Sequence, residues 1–169
     1  KEELVEKFSM GRVHSGGAKF DYEKAKWFNH EWIKRLPADQ LLPQVKPFFE
    51  AKNIHITDDK ALVRVIELVK DRCNLLTDFV EQGSFFFAMP STFDVDAVKP
   101  KWNDAKQLFF AEVVRNFELS PVWNAAELEN NFKEMAAVNH LKPGEVLLPL
   151  RIMLVGGKFG PHVFDIAAL

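Results

Sequence analysis

The chain contains one cysteine, one tyrosine and no long apolar run among its 169 residues. With Cys73 alone, an intrachain disulfide is impossible, and a structural zinc site lacks the partners that it needs. A single unpaired cysteine suits a reducing compartment. No stretch approaches the roughly 18–20 apolar residues of a membrane span. These absences predict a cytoplasmic protein that has no membrane partner.

An excess of positive charge is also missing. The 22 basic residues are outnumbered by 24 acidic ones, which gives a net charge of −2. The chain as a whole therefore produces no basic field of the kind that attracts nucleic acids. Any contact with a polyanion must depend on local clusters of basic side chains.

Signatures of catalysis and of nucleotide binding are missing as well. The five histidines lie far apart, and none stands at metal-ligand spacing from a cysteine or another histidine. No GxSxG elbow and no Walker A loop is found. The glycine-rich "HSGG" at 14–17 lacks the Lys-Ser/Thr ending of a phosphate loop, which favours a plain turn. We predict no catalytic residue, no metal site and no cofactor within this chain.

Helical spacing dominates the residues that are present. Ala25, Phe28, Trp32 and Leu36 recur at three and four positions after Asp21, a candidate N-cap. Strand-like alternation persists nowhere, and comparable stripes recur through the rest of the chain, among them Leu62, Val65, Ile66 and Val69. The stretch "FFFAMPSTFD" has no helical period and ends in turn residues. The sequence therefore predicts an all-α fold of two small multihelical lobes that join near residue 93.

Several local features follow from the same patterns. We expect a helix to begin near Pro43, since proline suits the first helical position, and Thr57 to cap the helix after it. A capping box is predicted at Asn124 and Glu127. The four tryptophans and the three consecutive rings of 85–87 are interpreted as core residues.

Three segments carry the most specific residue patterns in the chain. The first, "FSMGRVHSGGAKFDYEKAKWFNHEWI", contains Phe8, a small-residue turn at 16–18, a helix start at 20–24 and a Trp–X–Asn step at 27–29. In this order, these features resemble the region just after the KMSKS loop of bacterial glutamyl-tRNA synthetases. "VKDRCNLLTDF" is similar to the helix pair of the first anticodon-binding lobe. "PLRIMLVGGKFGPHVFDIAAL" is similar to the segment that closes the second lobe. The three occur in the family's order over nearly the whole chain.

The departures from the family pattern are informative. The chain has neither the HIGH nor the KMSKS signature that holds ATP, and it stops at Leu169, where the family continues into a last helix. The resemblance implies a C-terminal piece of a glutamate–tRNA ligase, a class I synthetase that uses ATP and Mg²⁺. Residues 1–36 would end the stem-contact region, 37–93 would form the first anticodon-binding lobe, and 94–169 the second, with its last helix truncated, in an elongated helical arrangement. The piece alone should be catalytically inactive.

The resemblance also assigns candidate RNA-binding residues. Arg72 matches the arginine that reads the third anticodon base, and Arg151 matches a second anticodon-contacting arginine. The residues that match the turn and helix start enclosing the middle base are Gly160, Pro161, Val163 and Phe164. Further candidates are Asn130, where the family has an arginine, and Lys158 and Phe159. We expect removal of the Arg151 side chain to weaken binding rather than folding.

The implied partner is the anticodon loop and stem of glutamate tRNA, bound by a monomer. Residue-level alternatives remain open at this point. Arg151 could simply extend its charged group to the surface from a core helix, or it could pair with Glu145 or Asp165. Arg72 could form a surface pair with Asp71. The chain as a whole could also be an all-α protein–protein interaction module that does not bind RNA.

Overall fold

A computed structural model describes residues 2–12, 16 and 19–169, and within these ranges every regular element is helical. The predicted all-α class is therefore confirmed. Most of the glycine-rich segment at 14–17, and residues 17 and 18 of the turn used in the resemblance, lie outside the described residues. None of the described helices is both long enough and apolar enough to cross a membrane.

The first half of the chain, apart from its first helix, packs around one hydrophobic cluster. Its helices are α1 (Glu2–Lys7), α2 (Tyr22–Arg35), α3 (Ala38–Glu50), α4 (Asp59–Val69) and α5 (Asp78–Gly83). A 3-10 turn, Lys70–Arg72, follows α4 directly. Asp21 caps α2 as predicted, since its side chain accepts a hydrogen bond from the Lys24 N–H. The cluster is built from side chains of α2 to α5 and the adjoining loops, among them Ile33, Leu41, Phe49, Leu62, Ile66 and Phe79.

The second half packs around a separate cluster that is rich in phenylalanine. Its helices are α6 (Asp104–Glu118), α7 (Ala125–Val138), α8 (Pro143–Val155) and α9 (Val163–Ala168). The rings of Phe109, Phe132 and Phe164 meet edge to face at centroid distances of 5.3 and 5.4 Å. The predicted cap is present, because Asn124 Oδ1 accepts from the Glu127 N–H at 2.9 Å. The two clusters support our proposed division of the chain near residue 93.

The prediction of a helix that begins near Pro43 is wrong. α3 runs without interruption from Ala38 to Glu50 and contains both Pro43 and Pro47, which lie on its exposed side. Each internal proline removes a backbone hydrogen bond and costs about 3 kcal/mol. The opposite side buries Leu41, Val45 and Phe49 at intervals of four. Burial of such side chains contributes about 1.5–3 kcal/mol each, and this offsets much of the loss.

The predicted cap of α4 is displaced by one residue. Asp58, and not Thr57, is the N-cap, and its carboxylate accepts from the Lys60 N–H at 2.8 Å. A carboxylate at this position also interacts favourably with the positive end of the helix dipole. The stripe of Leu62, Val65, Ile66 and Val69 is buried as predicted.

The interpretation of all four tryptophans as core residues is wrong for three of them. Trp27, Trp32 and Trp123 are exposed by 56%, 62% and 52%. Trp102 is half-buried and stacks on Phe110 at a centroid distance of 5.7 Å. Helical spacing therefore identified apolar faces correctly, but it did not show which of them other parts of this chain cover.

Candidate nucleic-acid interface

Arg72 ends the 3-10 turn that follows α4, and its side chain is exposed. The next residue, Cys73, is fully buried, so the backbone beneath the arginine is anchored in the first cluster. Burial raises the pKa of the Cys73 thiol to about 12, which makes it an unreactive core residue. No ion pair joins Arg72 to Asp71 or to any other acidic residue that the structure describes. The Arg72 guanidinium is therefore available to a ligand.

Arg151 projects from α8 toward the loop that joins α8 to α9. Its Nη1 donates to the carbonyl oxygens of Phe159 at 2.9 Å, Gly160 at 3.3 Å and Pro161 at 2.7 Å. It pairs with neither Glu145 nor Asp165 among the described residues, so that alternative is not supported. Nη2 and Nε carry three further N–H groups, and these make no hydrogen bond to any described residue. Arg151 thus braces the loop with one nitrogen and keeps donors for a ligand.

The two arginines lie close enough to influence each other. Partial burial lowers the pKa of Arg151, and the positive charge of Arg72 lowers it further. An arginine remains protonated under such shifts. The pair therefore forms a local positive centre on a chain whose overall charge is negative, and such a centre attracts anions or the acceptor atoms of bases.

Two phenylalanine rings complete this group. The rings of Phe85 and Phe159 lie 6.1 Å apart at an interplanar angle of 63°, and Phe159 is 40% exposed. Gly160 adopts φ +94°, and a Cβ there would lie 3.6 Å from Phe85 and 3.7 Å from Arg151 Nη1. Residues from both halves of the chain therefore meet around Gly160. We name Arg72, Phe85, Arg151, Phe159 and Gly160 the arginine–phenylalanine group.

Sequence reasoning missed Phe85, because it treated the three rings of 85–87 as one core element. Phe86 and Phe87 do pack against the first cluster, although both are only half-buried. The three rings belong to or adjoin the 3-10 turn Ser84–Phe86. Such a turn has about three residues per turn, so consecutive side chains point in three directions. The signal available in the sequence was the run itself, since three consecutive side chains cannot all lie on one side of a helix or strand.

The other candidates occupy different environments. Pro161, Val163 and Phe164 are buried, with Phe164 0% exposed in the second cluster. Any contact that these residues make with a ligand must therefore come from their backbone rather than from the Phe164 ring. The sequence suggested a helix start at Pro161, but α9 begins two residues later, at Val163. Asn130 is exposed on α7.

The turn at Gly156 contacts the chain's own connector. Gly156 ends α8 with φ +83°, and its carbonyl accepts from the Asp94 N–H at 2.8 Å. A Cβ at this position would lie only 2.5 Å from the Thr92 carbonyl oxygen. Lys158 Nζ reinforces the contact with an ion pair to Asp94 at 3.3 Å. Lys158, a candidate ligand-binding residue in the sequence, thus acts with Gly156 to fix the connector between the two clusters.

Comparison with known families gives this arrangement a context. The family described as "Anticodon binding domain" matches residues 40–169. The chain belongs to this anticodon-binding-domain family. The match includes both arginines and both rings of the arginine–phenylalanine group, whereas α1 and α2 lie outside it.

Several relatives of this anticodon-binding domain are glutamate–tRNA ligases. The glutamate–tRNA ligase of Flavobacterium johnsoniae is 35% identical over 168 residues, which are 99% of this chain and 33% of that protein. The ligase of Porphyromonas gingivalis is 35% identical over 98% of this chain and 32% of its own length. A crystal structure of the glutamate tRNA ligase from Elizabethkingia meningosepticum superposes with a TM-score of 0.85 at 30% identity. The superposed region covers 98% of this chain and 32% of the ligase chain in that structure. The chain therefore spans about a third of the length of the relatives that it matches.

The contacts of Arg151 in this anticodon-binding domain revise the expectation that its removal affects only binding. Arg151→Ala is expected to lower the free energy of unfolding by about 1–2 kcal/mol, because three loop carbonyls lose their charged donor. Urea denaturation of the 169-residue chain measures this change. Arg115→Ala, which removes an exposed arginine from α6, is the matched control and should be neutral. An Arg151→Ala variant as stable as the parent would show that the loop holds its shape without the brace.

Proposed function

We propose that this chain binds the anticodon loop and stem of glutamate tRNA, as the anticodon-recognising part of a glutamate–tRNA ligase. The observation that carries the proposal is the arginine–phenylalanine group, in which Arg151 lies beside two partly accessible rings and Arg72 is near enough for its charge to act on Arg151. Family membership and the relatives' descriptions support it. The group is contained in one chain, which fits our proposal of a monomer, and we further propose that the protein is cytoplasmic.

The chemistry of the group suits unpaired bases better than a duplex. Proteins recognise single-stranded RNA loops by stacking bases on aromatic rings and by hydrogen bonds to base edges. Phe159 offers an accessible ring for stacking, and Arg72 and the remaining nitrogens of Arg151 offer donors to base or phosphate oxygens. Base–aromatic stacking contributes about 1–3 kcal/mol per base. A phenylalanine ring beside an arginine guanidinium can therefore stack on an unpaired base while the guanidinium donates hydrogen bonds to the edge of that base.

Activation of glutamate is proposed for the complete ligase and not for this chain. The described residues contain no group of three His, Cys, Asp or Glu side chains that could hold a metal ion. The sequence also lacks a loop of the phosphate-binding type. The chain matches about a third of the length of its relatives, and we assign the ATP and Mg²⁺ chemistry to the part of the ligase that it does not match.

Binding of RNA by this chain is expected to weaken as salt is added. Each phosphate neutralised on a single strand contributes about −0.7 to the slope of log affinity against log salt concentration. Contact with about three phosphates gives a slope near −2, which is roughly a tenfold to twentyfold loss between 50 and 200 mM salt. Fluorescence anisotropy of a labelled stem-loop with the glutamate anticodon measures this dependence.

The same titration tests the alternative of a protein–protein interaction module. Such a module would show no saturable binding of the stem-loop at low salt. Arg115→Ala serves as the matched control for loss of one positive charge away from the proposed site, and it should keep the affinity of the parent chain. A parent chain that fails to bind at 50 mM salt would overturn the proposed function.

A further inference from the structure

Two side chains of α2 reach across to the loop directly after Arg72. His30 Nδ1 lies 2.8 Å from the carbonyl oxygen of Cys73. Since a carbonyl only accepts, Nδ1 carries the proton in this contact. Asn29 Nδ2 donates to the carbonyl oxygen of Asn74. Both hydrogen bonds join residues far apart in sequence, so they fix α2 against this loop.

The same loop is held from its other side by α5. Asp78 Oδ2 accepts from the N–H groups of Asn74 at 2.8 Å and Leu75 at 2.9 Å. Cys73 is fully buried between these contacts. The backbone that follows Arg72 is thus bound through its carbonyls by α2 and through its N–H groups by α5. Arg72 extends its exposed side chain from this fixed segment.

We infer that Asn29 and His30 are positioning residues for Arg72. Through these two residues, α2 determines how strongly the protein discriminates between bases at the third anticodon position. The inference rests on the proposed function. Neither side chain belongs to the arginine–phenylalanine group, so both act through the backbone of residues 73 and 74. A binding group that is held in its productive geometry before the ligand arrives loses less conformational freedom on binding.

Loss of this support should reduce discrimination more than affinity. A loosely held Arg72 still carries its charge, and Coulomb attraction to RNA depends little on orientation. Discrimination between cytosine and guanine depends on hydrogen bonds, which weaken steeply when their angles are poor. The arginine would then still attract the loop but would distinguish the two bases less well.

The test measures the affinities of the full chain for two RNA stem-loops that differ only in cytosine or guanine at the third anticodon position. Asn29→Ala and His30→Ala are each expected to lower the ratio of these affinities by about threefold to tenfold. His30→Asn should keep the parent ratio, because its amide nitrogen takes about the place of Nδ1. Asn139→Ala is the matched control, since it removes an Asn Nδ2 hydrogen bond to the Met135 carbonyl at 3.0 Å on α7.

A double substitution separates positioning from a general loss of structure. In the Arg72→Gln background, Asn29→Ala should change the ratio no further, because both act on the same contact. The inference is overturned if Asn29→Ala and His30→Ala keep the parent ratio while Arg72→Gln lowers it. It is equally overturned if Asn29→Ala lowers the ratio by as much when Arg72 is already replaced. A parent chain that binds neither loop would remove the proposed function together with this inference.

Discussion

Arg72→Gln is expected to narrow the preference for the glutamate anticodon loop over the glutamine loop by about 1–3 kcal/mol, mainly through tighter binding of guanine. The two tRNAs differ at the third anticodon base, which is cytosine for glutamate and guanine for glutamine. A protein that separates them at the anticodon must read that base. Arg72 is exposed, close to Arg151 and without an ion-pair partner among the described residues, which suits it for this role.

The direction of the effect follows from donors and acceptors. The pairing edge of cytosine offers the acceptors O2 and N3 beside one amino donor, whereas that of guanine offers two donors beside O6. Arginine only donates, so it suits cytosine and leaves the guanine N–H groups without partners. Glutamine carries an acceptor as well as donors and can satisfy either base. Leaving the guanine N–H groups desolvated and unpaired costs about 1–3 kcal/mol.

The measurement is the pair of affinities for stem-loops that differ only at that base, at one fixed salt concentration. The expected change corresponds to a ratio reduced by about 5-fold to 150-fold. Arg115→Gln on α6 controls for the loss of a positive charge, and it should leave the ratio unchanged. If Arg72→Gln keeps the parent ratio of affinities, Arg72 does not belong to the recognition site.

Gly156→Ala is expected to lower the free energy of unfolding by about 2–4 kcal/mol, the largest stability effect that we predict. The left-handed backbone of Gly156 is costly for any residue with a Cβ. The added carbon would also lie 2.5 Å from the Thr92 carbonyl oxygen and 2.9 Å from Pro90 Cβ. Relief of this overlap requires the connector to move away, which breaks the hydrogen bond from Asp94 to Gly156.

Urea denaturation of the full chain measures this loss, and Gly144→Ala provides a matched control. Gly144 lies in the first turn of α8, and a Cβ there would meet nothing within 4 Å. Alanine favours helix over glycine by about 0.8–1 kcal/mol, so this variant should be as stable as the parent or slightly more stable. Equal stabilities for the two variants would show that the connector does not require close approach at Gly156.

Much of the fold could be predicted from the sequence because helices are encoded locally. The stripe at Leu62 and Ile66 and the caps at Asp21 and Asn124 depend on neighbours within one or two turns, and the structure has them as predicted. α3 was predicted less well, since the effect of Pro43 on the backbone is local while the burial that outweighs it involves other helices.

The candidate site was only partly predictable for a similar reason. Arg72 and Arg151 were assigned through resemblance, and the structure brings them close together. The contact of Phe85 with Phe159 joins residues far apart in sequence, and no periodicity encodes such a contact. The brace that Arg151 gives to the loop was missed because its partners are backbone carbonyls, which every residue carries.

The proximity of Arg72 and Arg151 has a consequence for the unliganded protein. Two like charges that share one surface repel each other, and partial burial of Arg151 adds to this unfavourable term. In the proposed complex, a bound RNA would supply negative charge that offsets this repulsion, so folding and binding place opposite demands on the charge of Arg72. Neutralising Arg72 should therefore make the unliganded protein more heat-resistant while it impairs recognition. Such a trade-off between stability and activity is expected of a residue retained for its ligand rather than for the fold.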